Sequence, residues 1–159
     1  MLKELALGTF LSLTPTASAD TVPTHKQFLI DESFCLAQNV YFEARNQPLA
    51  GQLAVVSVTI NRVNDKRFPN TICGVVYQGP HRPSWKDQSV MIPVRHRCQF
   101  SWYCDGLSDR IHDLVTFDDI LDFTSGILDG SFKVADITEG ATHYHADYVE
   151  PAWAKTKTK

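Results

Sequence analysis

Glu43 is the residue of this sequence best placed to deliver a proton. In the segment from Phe34 to Arg45, Phe34, Ala37, Tyr41 and Ala44 recur at helical spacing, and Leu36, Val40 and Glu43 form the adjoining stripe. At about 100° per residue, Glu43 projects within roughly 20° of Leu36, so it closes an apolar stripe instead of facing water. Apolar surroundings disfavour a carboxylate, raise its pKa and keep the acid protonated near neutral pH, which is what a general acid requires. The alternative is a surface glutamate paired with Arg45 or Arg62.

Other groups fit the binding of a polar, ring-shaped ligand. Gln99 and Ser101 flank Phe100, and an amide and a hydroxyl can each donate and accept, which suits an N-acetyl group. Their alternative role is to tie down the loop. Tyr144 and His145 are the further candidate contacts, Tyr144 either orienting Glu43, lining a cleft or serving as a half-buried strand aromatic. Tyr77, Trp85, Phe100, Trp102 and Tyr103 are scattered through loops, as in sugar-binding clefts, though Trp85 and Phe100 could equally be core anchors. His143 and His145 alternate about Tyr144, so on a strand both would point one way and, with His96 and a carboxylate, could hold zinc. No HExxH segment accompanies them, and no metal or other cofactor is expected. A second catalytic carboxylate has no distinctive setting: Asp65, Asp87, Asp105 and Asp147 all read as loop or turn residues.

The elements that must position these groups are mainly helical. Asp31 is the expected cap of the helix carrying Glu43. Gln47-Pro48 ends it, with Pro48 in the first turn of the next helix. The run from Gln52 to Val63 is rich in Val and Ile, which favours a strand, but its length favours a buried helix. From Asn64 to Gly106, breakers such as Pro69, Pro80, Pro83 and Pro93 predict loops. A third helix is expected from Thr116 to Asp129, with Thr116 and Asp119 as a capping box, an apolar face of Phe117, Ile120, Leu121, Thr124, Ile127 and Leu128, and Gly130 as terminator. The tail from Ala135 reads as a strand or extended loop laid back on the domain.

The whole chain of 159 residues, 43% hydrophobic, suits one domain with a real core. Its formal charge of −3 lacks the basic footprint of a nucleic-acid binder, and neither repeats nor low-complexity tracts are visible. Residues 1–19 read as a signal peptide, with Lys3, an apolar stretch from Leu5 to Leu13 and Ala17-Ser18-Ala19 before the cut. That stretch is shorter than the roughly 20 residues a membrane-spanning helix needs. The mature chain is therefore expected to begin at Asp20, with residues 20–33 as leader and 34–159 as the functional domain. It would be exported, periplasmic or secreted, without stable membrane insertion. A disordered or anchoring N-terminus is the alternative. Cys35, Cys73, Cys98 and Cys104 are an even set, expected to form disulfides in an oxidising space. Three pairings are possible; Cys98 with Cys104, close in sequence, and Cys35 with Cys73 is preferred.

Several ordered blocks resemble the catalytic domain of SleB-type cell wall hydrolases, the group that includes spore cortex-lytic enzymes. They are Ala37-x-x-x-Tyr41-x-Glu43-Ala44-Arg45, Gly51-Gln52-x-Ala54-Val55, Asn61-Arg62-Val63, the run from Phe68 to Gln78, Cys98-Gln99-Phe100-Ser101 and Thr138-x-Gly140-Ala141-Thr142-His143-Tyr144-His145. The resemblance implies a mainly α domain with a small β element, lysozyme-like in the manner of lytic transglycosylases. It implies peptidoglycan glycan strands as substrate, cut between N-acetylmuramic acid and N-acetylglucosamine, with Glu43 as acid/base; separately, a monomer is expected. A lytic transglycosylase needs no second carboxylate, because the muramic 6-hydroxyl is the nucleophile. Muramidase-type hydrolysis, a zinc-dependent N-acetylmuramoyl-L-alanine amidase and a non-catalytic wall-binding module are the alternatives. Asn46 and Gln47 stand where many relatives have Gly and Glu, which touches the cleft rim and not Glu43.

Overall fold

The structure is a computed structural model that describes residues 25–145 and 150–156. The expected signal peptide and Asp147 lie outside the described residues. Four helices, α1 (His25–Ala44), α2 (Leu49–Asn64), α3 (Ile72–Val76) and α4 (Leu114–Leu128), surround one core, and a two-stranded antiparallel hairpin, β1 (His81–Pro83) and β2 (Met91–Pro93), projects from the loop region. The protein is thus mainly α with a small β element, the build of a lysozyme-like single domain.

Helix α1 is central and packs against α2, α3 and α4. Its two stripes supply the core: Leu36, Ala37 and Val40 are fully buried and Tyr41 is 3% exposed. Phe34, placed on the same face by its spacing, is instead on the rim, where its ring meets Phe117 edge-on at 5.5 Å. The chain is already helical at His25, so Asp31 is inside the helix and does not cap it. No proline or glycine interrupts residues 25–31, and the helix continues backwards through them. Glu32, expected in a first turn, is buried and reaches across to the start of α3, accepting from the backbone N–H groups of Ile72 and, at 3.4 Å, Cys73. A carboxylate there satisfies donors that a helix start leaves free.

The Val- and Ile-rich run is helical, as its length required, with Pro48 just outside at the N-cap and its carbonyl accepting from Gly51 at 2.8 Å. A buried polar chain ties α1, α2 and the later loop together: Trp102 Nε1 donates to Asn39 Oδ1 (3.0 Å), and Asn39 Nδ2 to Thr59 Oγ1 (3.1 Å). Each member is satisfied, which lets polar atoms sit in the core without an unpaired group. Helix α4 is capped by Asp113, whose carboxylate accepts from Thr116 N (3.0 Å) and Oγ1 (2.6 Å). Thr116 is thus the partner of the cap, and the expected Thr116–Asp119 box gives way to an aspartate one turn earlier. Gly130, with φ of 83°, ends the helix as expected.

Between α2 and α4 the backbone is largely irregular, broken by α3, the hairpin and a single 3-10 turn at Ser101–Cys104. Disulfides join Cys35 to Cys73 and Cys98 to Cys104, the preferred pairing. The first pins α3 to α1, and the second closes the loop that carries Gln99, Phe100 and Ser101. Residues 135–145 form turns and extended backbone and no strand.

Candidate active site

Glu43 lies in the last turn of α1, beside the core stripe of Leu36 and Val40. It is half-buried at the floor of a cleft of about 320 Å³ lined by Arg62, Cys98, Gln99, Phe100, Ser101, His143 and Tyr144. Three separate stretches of chain therefore converge on one carboxyl. Burial pushes the Glu43 pKa above the ordinary glutamate value, while the hydrogen bond from Tyr144 and the charge of Arg62 pull it back. Tyr144 donates its hydroxyl to Glu43 Oε2 at 2.8 Å. That hydroxyl is desolvated against a carboxylate, which raises the tyrosine's own pKa far above its usual range and keeps it a donor.

Neither arginine forms an ion pair with Glu43 among the described residues. Arg45 donates to Tyr41 O at 3.3 Å and lies over the Tyr41 ring. Arg62 is 4% exposed, sandwiched with its guanidinium 4.7 Å from the Phe100 ring centre and 5.5 Å from that of Phe68. Its Nε donates to Thr142 O at 2.8 Å, and its Nη1 is buried without a hydrogen-bond partner. Burial lowers the Arg62 pKa, yet an arginine stays charged at any working pH.

The tail is delivered to the cleft by two consecutive residues of α2. Asn61 Nδ2 donates to Asp136 Oδ2 (3.0 Å), Thr138 Oγ1 (3.2 Å) and Ala141 O (3.1 Å), and Arg62 takes Thr142. Asp136 closes the turn itself, accepting from Thr138 Oγ1 (2.6 Å), Thr138 N (2.8 Å) and Gly140 N (2.7 Å), and the bonds from the Thr138 hydroxyl and the Asn61 amide are the main cause of its strongly depressed pKa. Residue reading gave Asn61 no role at the site, and named Arg62 only as a candidate ion-pair partner of Glu43 and His143 only as a candidate zinc ligand. The one signal was that the blocks around Asn61 and Thr138 both belong to the resemblance.

Of the candidates drawn from sequence, Gln99, Phe100, Ser101 and Tyr144 share the cleft with Glu43, and His145 is not among its lining residues. Phe100 is 2% exposed, so it serves the core and the Arg62 sandwich as well as the cleft wall. The histidine pair does not form a strand; His143 faces Phe68 at 6.3 Å with Nδ1 3.0 Å from Thr142 Oγ1. Among the described residues, no three His, Cys, Asp or Glu side chains cluster as a metal centre would require. Among the described residues, Glu43 is the only carboxylate lining the cleft.

A mainly helical domain with a half-buried glutamate at a helix end, facing a polar cleft, is the class defined by this fold and site. Residues 46–159 match the cell wall hydrolase family, and the chain belongs to it. Similar proteins include the spore cortex-lytic enzyme of Bacillus subtilis (strain 168), 49% identical over 43 residues, which are 27% of this chain and 14% of that protein. Those of Halalkalibacterium halodurans and Bacillus cereus (strain ATCC 14579) are each 46% identical over 43 residues, again 27% of this chain, and 13% and 17% of theirs. The aligned segment thus spans only a small part of these relatives. No solved structure matches.

Proposed function

We propose that this chain is an exported peptidoglycan hydrolase that cuts the glycan strand between N-acetylmuramic acid and N-acetylglucosamine as a lytic transglycosylase, with Glu43 as its single acid/base. The observation that carries the reading is a carboxyl with its pKa raised by burial, the one such group lining the cleft among the described residues, beside an amide, a hydroxyl and a fixed tyrosine. With Tyr144 donating to Oε2, Oε1 is left to carry the transferred proton. Glu43 protonates the glycosidic oxygen as the bond to C1 breaks, and the leaving N-acetylglucosamine departs as an alcohol. The carboxylate so formed is favoured by Arg62 and Tyr144, and takes the proton of the muramic 6-hydroxyl as O6 bonds to C1. The product is a 1,6-anhydro end, no water is consumed, and Glu43 returns protonated. Gln99 and Ser101 suit the N-acetyl group. Asp65 is paired with Arg67, and Asp87 and Asp105 close their own turns, so none of them is at hand as a second acid.

Mass spectrometry of digested peptidoglycan tests the reaction. Muropeptides ending in 1,6-anhydro-muramic acid are expected. Reducing muramic ends would make it a muramidase, and released stem peptides would overturn glycan cleavage. Glu43→Gln should fold and lose about 10²–10⁴-fold in rate, the usual share of general acid–base catalysis.

A further inference from the structure

The β1–β2 hairpin carries an exposed tryptophan among exposed apolar and basic neighbours. Its tip is held from within: Ser84 N donates to Val90 O (2.8 Å), Val90 N to Asp87 O (3.0 Å), and the Asp87 carboxylate accepts from Ser89 N (2.9 Å) and Oγ (2.7 Å). On this ordered tip Trp85 is 79% exposed, which removes the core-anchoring role considered for it, and Val90 and Met91 are exposed beside it. Lys86 Nζ lies 5.3 Å from the Trp85 ring centre. Arg82, Lys86, Arg95 and Arg97 face a single carboxylate, Asp87, within residues 79–97 of a chain whose formal charge is −3. Trp85, Val90 and Met91 form an exposed apolar patch rimmed by charge, which contributes little to folding and is the kind of surface that serves for contact.

The arm is fused to the wall of the cleft. Gln99 N donates to Gln78 O (3.0 Å), Val94 N to Pro80 O (2.8 Å), and His81 pairs with the Tyr103 hydroxyl (3.1 Å). Arg95 Nε donates to Asp105 O at 2.9 Å. Gly79 lies so close to Cys98 that a Cβ there would come within 2.9 Å of Sγ. The arm and the loop of Gln99, Phe100 and Ser101 therefore form one piece, and a polymer lying in the cleft can continue along the arm.

We propose that the hairpin is an outer subsite for the same glycan strand. Trp85 stacks on a pyranose face away from the scissile bond, where ring C–H groups meet the negative face of the indole. Arg82 and Lys86 pair with carboxylates of the strand, carried by the peptide stems or, on muramic residues that bear no stem, by the free lactyl group. The proposal rests on the glycan-cleaving reading above. Cosedimentation of the Glu43→Gln protein with insoluble peptidoglycan tests it without turnover. Adding Trp85→Ala, an exposed position that leaves the fold intact, is expected to weaken binding about ten-fold. Arg82→Glu with Lys86→Glu is expected to weaken it too. If stem carboxylates are the partners, that second loss is seen on stem-bearing peptidoglycan and vanishes once the stems are removed; if lactyl carboxylates are, it appears only after the amide that carries the stem has been cleaved to free them. Unchanged binding in both variants overturns the outer subsite and leaves glycan cleavage standing. A Glu43→Gln protein that does not bind peptidoglycan at all counts against the cleavage reading itself, and this proposal falls with it.

Discussion

A carboxyl can serve as an acid only if its proton is still there at the working pH. At Glu43 three causes set that proton's hold, and burial is the largest. Because the folded pKa is above the unfolded one, near 4.3 for a free glutamate, the folded state binds this proton more tightly than the unfolded state does. The stability so gained is complete below the unfolded pKa and is lost as pH rises through the folded pKa. Glu43→Gln has no such loss, so it should melt above the parent protein at pH 7, with the gap closing towards pH 4. A variant that melts lower at pH 7 would contradict the burial argument. Tyr144→Phe deletes a hydrogen bond that lowers the Glu43 pKa, so the alkaline limb of kcat/KM should move to higher pH while kcat falls. Profiles of the two proteins across the same pH range check it, with an unmoved limb ruling out the contact. Glu43 was legible because its setting is local: seven residues of helical period link it to Leu36. Tyr144, 101 residues away, was only one of several loose candidates, and nothing in the periodicity pointed its hydroxyl at Glu43.

At the scale of elements, the sequence conveyed helices better than their ends. Length correctly overrode the β-propensity of residues 52–63, because a buried helix accepts Val and Ile once their faces are packed. The missed ends share a cause: Asp31 and Thr116 have side chains suited to capping, but a cap is chosen by where the backbone turns; α1 is already helical at His25, and α4 is capped at Asp113. The tail was hardest, since irregular backbone has no period, and its path is set by a distant partner. That partner is Asn61, whose single amide donates to three acceptors of the tail. Asn61→Ala should therefore lower stability by about 1–2 kcal/mol in denaturant unfolding. A merely structural role ends there. If Asn61 also holds Tyr144 on Glu43, the alkaline limb of the variant's activity should shift upward as it does in Tyr144→Phe.

The whole molecule depends on a small core and two covalent ties. Its irregular middle, residues 65–113, has few long helices to hold it, and the loop carrying Gln99 and Ser101 lies within that stretch. The disulfides supply what packing does not. Cys35–Cys73 closes a separation of 38 residues and fixes α3, with its Glu32 and Thr71 caps, to the central helix. Loop-closure entropy for that length corresponds to about 4 kcal/mol, against about 2 kcal/mol for the short Cys98–Cys104 loop of separation 6. Four cysteines made bonds foreseeable, but their pairing depended on which segments the fold brings together. The two ties should also differ in kind. Replacing Cys35 and Cys73 with serine should lower the unfolding free energy by the larger amount and leave kcat nearly intact in whatever fraction stays folded. Replacing Cys98 and Cys104 should cost less stability and more activity, because that loop forms the wall opposite Glu43 and the base of the hairpin arm. Denaturant titrations paired with rates per folded molecule separate the two. Equal losses of activity in both pairs would mean that the cleft wall owes its shape to packing around Trp102 and Phe100 and not to its own disulfide.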